Sequence, residues 1–179
     1  MDYQEALMNA SKGMIRVKDP VVLLKIITRF IDRQMGVTHV AVLLHDKARD
    51  AYVLIDSKGE GGAKIPIGYV KVTHENALVS FFMAADNGAF ARKEALVYSE
   101  LEHMQNFEIL VNKKEVKAIH YGELQKQMDY LRAAVCVPSF YKKELIGVLI
   151  LGDKLSGEGI NPVIVAASAI VMSPALLLK

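Results

Sequence analysis

The chain has 179 residues and a mass of 19.8 kDa, a length that fits one domain with one substantial core. Apolar residues make up 52% and charged residues 23%, which excludes a largely disordered chain. The net charge of +2 offers no excess for holding nucleic acid or an acidic lipid surface, and one cysteine excludes an internal disulfide framework or a Cys-rich zinc site.

Met1–Ala10 carries Asp2 and Glu5 and lacks the apolar stretch of a secretory signal. Tyr3, Ala6, Leu7 and Ala10 form a short amphipathic stripe there. Asp19-Pro20 then opens a helix, with the carboxylate at the N-cap and proline at the first helical position. Leu23, Ile26, Ile27, Phe30 and Ile31 follow at helical spacing, and Gly36 is a plausible stop. Val37–His45 reads as a central strand, Asp46–Asp50 as a turn and Tyr52–Asp56 as the returning strand. Ser57–Lys64 holds Gly59, Gly61 and Gly62 and reads as a loop. Tyr69–Val72 is a further short strand. Thr73 is a cap for a helix over Leu78, Phe81 and Phe82 that stops at Gly88.

Ser99 and Glu102 have the spacing of a capping box. They predict a helix through Leu101, Met104, Phe107 and Val111. Tyr121, Leu124, Met128 and Leu131 form another helical stripe. Ala134–Tyr141 and Leu145–Leu151 are apolar runs separated by Lys142, Lys143 and Glu144, a hairpin signal. From Pro162 to Leu178 no residue is charged. That is the lower edge of a membrane span, but Pro174 interrupts it, and the segment reads as one buried against a partner. Asn161-Pro162 can open it as a helix. The order of elements predicts an α+β fold with a central antiparallel sheet and helices on both faces.

The chemical inventory is mostly negative. His39 and His45 share a strand face but lie roughly 20 Å apart, so they cannot hold one metal. No HExxH or other metal-ligand spacing occurs among His39, His45, His74, His103 and His120, and no metal site is expected. Ser139 and Lys142 match the S-x-x-K of serine acylases, which need the two one helical turn apart. Here they span a strand end and its turn. Gly59-Glu-Gly61-Gly62 and Gly157-Glu-Gly159 match no phosphate-binding loop. Cys136 lies in an apolar strand with nothing nearby to lower its pKa. The basic clusters at Arg92-Lys93, Lys113–Lys117 and Lys142-Lys143 alternate with Glu94, Glu115 and Glu144 and read as solvated faces.

The run Ala134-Val-Cys-Val-Pro138-Ser, followed by Leu145-Ile-Gly147-Val-Leu-Ile-Leu-Gly152-Asp-Lys154-Leu-Ser156-Gly157, resembles the last hairpin of a GAF domain. The stripe at Tyr121–Leu131 resembles the helix that precedes that hairpin in GAF domains of bacterial sensor kinases and cyclases. The resemblance covers about residues 37–160. It implies an N-terminal helical segment (1–36), a GAF-like sensory core (37–160) and an apolar C-terminal segment (161–179), with flanking N- and C-terminal helices. Gly147 and Gly152 remove side chains where backbone approaches closely, and Pro138 marks an edge or a bulge.

The resemblance also implies a function. It points to a cytoplasmic, non-catalytic sensory or regulatory module that binds an unidentified small molecule and signals through dimerising flanking helices. The candidate pocket residues, on the segments between the two hairpins, are Phe81, Phe82, Tyr98, His103, Phe107 and His120. Plain core packing is the alternative for the three phenylalanines. No cofactor is named: the signatures of cyclic-nucleotide and bilin-binding branches are missing. A second reading is a homodimerisation or interaction module with a vestigial pocket. An enzyme of the free-methionine sulfoxide reductase type needs several cysteines, and Cys136 alone cannot run a dithiol cycle. No kinase, cyclase or helix-turn-helix pattern occurs, so any output domain is expected outside this chain.

Overall fold

A computed structural model describes residues 19–59, 71–83, 95–103, 107–111, 115–119, 121–142 and 144–159, with Glu5 and Asn9. The stripe at Tyr3–Ala10, the Gly88 stop, His120 and the apolar segment 161–179 therefore lie outside the described residues, apart from those two. The elements are α1 (Pro20–Gln34), β1 (Val40–Asp46), β2 (Ala51–Lys58), β3 (Lys71–Val72), α2 (Ala77–Met83) and β4 (Leu96–Val97). After β4 come a 3-10 turn (Tyr98–His103), β5 (Phe107–Val111), β6 (Glu115–Ile119), α3 (Tyr121–Leu131), β7 (Val135–Tyr141) and β8 (Glu144–Leu151).

Six strands form one antiparallel sheet in the order β3-β2-β1-β8-β7-β4, and β5 pairs with β6 separately. The two faces of the large sheet carry two cores. On one, Leu23, Leu24, Ile27 and Ile31 of α1 pack on Val40, Val42, Val135, Val137, Leu149 and Leu151. On the other, Leu78, Phe81 and Phe82 of α2 and Leu124, Met128 and Leu131 of α3 pack on Leu43, Leu54, Cys136, Val148 and Ile150. The alternation along β1 explains this division, since a side-chain period of two sends neighbouring residues to opposite faces. The fold class read from the sequence, α+β with helices on both faces of an antiparallel sheet, is the one observed. No described helix is long and apolar enough to cross a membrane.

Helix α1 begins as its sequence predicts: the Asp19 side chain accepts from Val21 N at 2.9 Å, with Pro20 next to it. Gly36 follows the C-cap Met35 at φ +60, the left-handed conformation glycine takes without penalty. Asn76, not Thr73, caps α2, accepting from Leu78 N at 2.9 Å.

The stretch from β4 to β6 departs from expectation, with three strands where the sequence reading has none. The capping box at Ser99 opens only a 3-10 turn, and Phe107–Val111 is a strand. The aromatic and β-branched residues of Phe107–Val111 and Glu115–Ile119 pair in continuous register from Phe107↔Ile119 to Val111↔Glu115. Cross-strand pairing won over a helical stripe that was coincidental.

Two bulges re-aim side chains. The register of β1 with β2 slips between Val42 and Leu43, leaving Ile55 as the extra residue. Asp56 consequently sits opposite Val42, on the α1 side, whereas an unbroken strand would send it to the face of Tyr52 and Leu54. There the Thr28 hydroxyl donates to the buried Asp56 carboxylate, and Lys58 Nζ lies 3.8 Å away. α1 is thus fixed to β2 by a charge-assisted bond inside an apolar contact. The second slip, between Ser139 and Phe140, leaves Ile146 extra in β8. Pro138 fits because β4 pairs only with Val135 and Cys136, so the outer edge at Pro138 needs no amide.

Candidate functional site

The end of the sheet where β1 begins and β8 finishes carries a cleft of about 370 Å³. It is lined by Thr38, Tyr98, Met128, Asp129, Arg132, Ala133, Ala134 and Asp153. The volume suits a small ligand, and the wall mixes apolar side chains with a few polar groups, as such sites do.

The floor is built around His39, which is 2% exposed. Its Nε2–H donates to the Leu131 carbonyl at 3.3 Å, so Nδ1 is left to accept from the Thr38 hydroxyl at 3.3 Å. Two glycines clamp this dipeptide from the neighbouring strands' ends. A Cβ on Gly152 would overlap Thr38 Oγ1 and His39 Nδ1 and stand 2.7 Å from His39 Cε1. A Cβ on Gly59, at φ +99, would overlap the Thr38 carbonyl and stand 2.7 Å from His39 Cα. The close approach expected at Gly152 is therefore real, and the imidazole is what approaches. The backbone holds the same spot, with Thr38 N bonded to Asp153 O at 2.7 Å and Gly152 N to His39 O at 2.9 Å.

Burial lowers the His39 pKa below 6.5. The Leu131 carbonyl opposes that shift, Arg132 adds to it, and Asp153 opposes it. Between the folded-state value and 6.5 the unfolded chain takes up a proton that the folded chain refuses. Stability contributed here is complete above pH 6.5 and is lost as the pH falls below it. We expect denaturation midpoints to drop from pH 7 to pH 5, by about 1.4 kcal/mol for each pH unit between the two pKa values. His39→Gln, which keeps a donor for Leu131, should flatten that part of the profile. An unchanged profile would show that another group controls the acid limb.

Arg132 reaches the cleft through an unusual helix end. α3 closes with Ala133 N bonded to Met128 O at 2.8 Å and Arg132 N to Asp129 O at 3.0 Å. This bond pair marks a Schellman cap, whose left-handed residue is most often glycine. Here Arg132 holds it, at φ +51, at a cost of roughly 1 kcal/mol relative to glycine.

The residues expected from the sequence to form a pocket lie on different elements, with His120 outside the described residues. Tyr98 does line the cleft, and its hydroxyl accepts from Gln125 Nε2 at 3.0 Å. Phe81 and Phe82 are core residues under α2, with ring centroids 5.5 Å apart and edge-to-face. His103 ends the 3-10 turn and Phe107 opens β5. Thr38, Asp129 and Arg132 carried no motif, and Asp153 lies in the GAF-like hairpin run without a signal of its own. The one legible sign was an arginine after Leu131, where the end of a helical stripe favours glycine or asparagine. Cys136 is fully buried, and burial pushes its thiol up to about 12, so it supplies no thiolate nucleophile near neutral pH. Ser139 is buried in β7, while Lys142 is exposed in the following turn, its ammonium 5.3 Å from the Tyr141 ring.

No protein-family profile matches the chain, and no curated protein sequence matches it. Solved structures do. The GAF domain of a phosphoenolpyruvate-protein phosphotransferase from Coxiella burnetii matches at a TM-score of 0.61 and 12% identity, over 98% of this chain and 91% of that one. Residues 122 to 287 of a methyl-accepting chemotaxis protein match at 0.62 and 16%, over 94% of both chains. The free methionine-R-sulfoxide reductase of Neisseria meningitidis, solved with its substrate, matches at 0.60 and 14%, over 98% of this chain and 86% of that one. At such identities a likeness establishes the fold, and the fold of this chain is that of a GAF domain.

Proposed function

We propose that this chain is a non-catalytic sensory or regulatory module that binds a small polar molecule in the cleft above His39. In this reading residues 37–160 are the sensory core, and the segments 1–36 and 161–179 carry occupancy to a partner copy or an output domain. The single observation behind it is Arg132. A non-glycine residue in a left-handed cap destabilises the fold slightly, and such outliers gather at ligand sites. This one puts an arginine on a cleft wall that also carries Asp129 and Asp153, so the cleft presents charge of both signs. Arginine in such a place favours a carboxylate or phosphate on the ligand. A methyl-accepting chemotaxis protein and a phosphoenolpyruvate-protein phosphotransferase carry a domain of this fold, which agrees with this reading. The reductase in the same group acts on a small molecule. The buried, high-pKa Cys136 speaks against thiol chemistry here.

Arg132→Gly separates the two roles of this residue. We expect it to keep or raise stability, by up to about 1 kcal/mol, and to abolish ligand capture. The measurement is native mass spectrometry of gently purified protein against its denatured mass. Wild type should carry an additional non-covalent mass per subunit that the variant lacks. Equal masses for both, with the variant folded, would sink the cleft as the binding site.

A second reading has its own observation. Val21, Val22 and Ile26 on the outer face of α1 are 38%, 46% and 40% exposed. Val22 and Ile26 lie one helical turn apart, a stripe a second copy could cover. A dimer lost in Val22→Glu/Ile26→Glu, with no bound mass in wild type, would favour an interaction module with a vestigial pocket.

A further inference from the structure

At the end of β1 opposite the cleft, three side chains from three segments converge. His45 is the penultimate residue of β1, with its side chain 19% exposed. Asp50 closes the turn into β2 at φ +47, a conformation aspartate tolerates better than most residues. That turn is preset, because Asp46 Oδ1 accepts from Ala48 N at 3.0 Å and Arg49 N at 3.3 Å. His74 lies just beyond β3, and its carbonyl accepts from Ser80 Oγ of α2 at 3.0 Å. Both imidazoles aim Nε2 at one oxygen: His74 Nε2 is 3.0 Å and His45 Nε2 is 3.3 Å from Asp50 Oδ1. One donor atom from each of the three residues falls within 4.8 Å of the other two. Tyr52 backs the group, with ring centroids 5.0 Å from His45 and 5.7 Å from His74. It is buried, and its hydroxyl donates to the Leu145 carbonyl at 2.7 Å, so it is a fixed wall that orients both rings.

We propose that His45, Asp50 and His74 form a site for a divalent first-row transition metal, for which Zn²⁺ is the fitting probe. Around a tetrahedral ion with bonds of about 2.0–2.2 Å, donors lie roughly 3.3–3.6 Å apart. The separations of the two Nε2 atoms from Asp50 Oδ1, 3.3 and 3.0 Å, approach that spacing, and no two donor atoms of the three residues lie more than 4.8 Å apart. Two imidazoles and one carboxylate are a donor set that suits such an ion, with water completing the coordination. Asp50 has a side chain 74% exposed, which leaves a route for the ion and those waters. In the bound state each neutral imidazole presents the Nε2 lone pair to the ion and carries its one ring proton on Nδ1.

The ion would act as a clasp. β3 pairs with β2 only through Tyr52↔Val72 and Val53↔Lys71, a short edge. Bonding His74 to the β1–β2 turn would fasten that edge and the start of α2 together. This site is independent of the cleft, so either proposal can fail without the other.

The test begins with chelator-stripped protein titrated with Zn²⁺ by calorimetry and with Co²⁺ by visible absorption. We expect one ion per chain, Co²⁺ bands of a four- or five-coordinate nitrogen–oxygen site, and a melting temperature raised by about 5–10 °C at a free Zn²⁺ concentration 100 times the Kd. His74→Gln and Asp50→Asn should each weaken binding by at least about tenfold. Asparagine adopts the left-handed turn as readily as aspartate, so Asp50→Asn should fold normally. His39→Gln, at the other end of β1, should bind as wild type does. No uptake by wild type would overturn the proposal, as would uptake surviving in both His74→Gln and Asp50→Asn.

Discussion

Gly152→Ala is expected to destabilise the protein by about 3 kcal/mol, a fall of roughly 10 °C in melting temperature. The reason is crowding alone, since Gly152 carries no positive φ and alanine can adopt its backbone. The new methyl would occupy the place of the Thr38 hydroxyl and the His39 ring. The ring is buried, held by two hydrogen bonds and enclosed by α3 and β8, so it cannot swing into solvent without breaking both. Overpacking costs about 1–3 kcal/mol, and each lost bond adds about 1 kcal/mol. Gly122→Ala is the control: nothing lies within 4 Å of its added Cβ, and in α3 the change should be neutral or mildly stabilising. Thermal denaturation of the two variants beside wild type decides the matter. A Gly152→Ala protein as stable as Gly122→Ala would mean that His39 has room to yield, and that the cleft floor is softer than the packing indicates.

Phe82→Ala is expected to cost about 3–5 kcal/mol while leaving ligand capture per folded molecule unchanged. Phe82 is 0% exposed and lies among Leu78, Leu124, Met128 and Ile150. Removing its ring leaves a cavity that α2 and α3 cannot collapse, because both are already seated on the sheet. Chemical denaturation gives the stability, and native mass spectrometry gives the occupancy. A loss under about 1 kcal/mol together with a lost ligand mass would restore Phe82 to a pocket wall. The aromatic spacing that drew attention to Phe81 and Phe82 in the sequence is the same spacing that fills cores. Only their burial separates the two roles.

Local signals served the sequence reading well where the chain obeys one short-range rule. The Asp19-Pro20 start of α1, the hairpin about Lys142 and the stripe of α3 each depend on residues within a few positions. The helix expected through Phe107 failed because a five-residue strand finds its partner across a turn, and that energy is invisible in a single stripe. The bulge at Ile55 was hidden, and the one at Ile146 was signalled only by Pro138 as an edge or a bulge. Each inserts one residue without altering the apolar pattern, yet the first of them decides that Asp56 meets Thr28.

By itself, then, the sequence determined the fold class, the apolar faces that make two cores and the hairpin by which the chain resembles a GAF domain. Those follow from periodicity and turn chemistry, which are properties of neighbours along the chain. The candidate sites were decided by tertiary structure. Thr38, Arg132 and Asp153 meet over His39 only because β1 is threaded between β2 and β8. His74 joins His45 and Asp50 only because β3 returns to the edge of β2. Side chains 29 positions apart, such as His45 and His74, share no local interaction for a pattern to record. Their distance is set by sheet order and register, which exist only once the whole chain has folded.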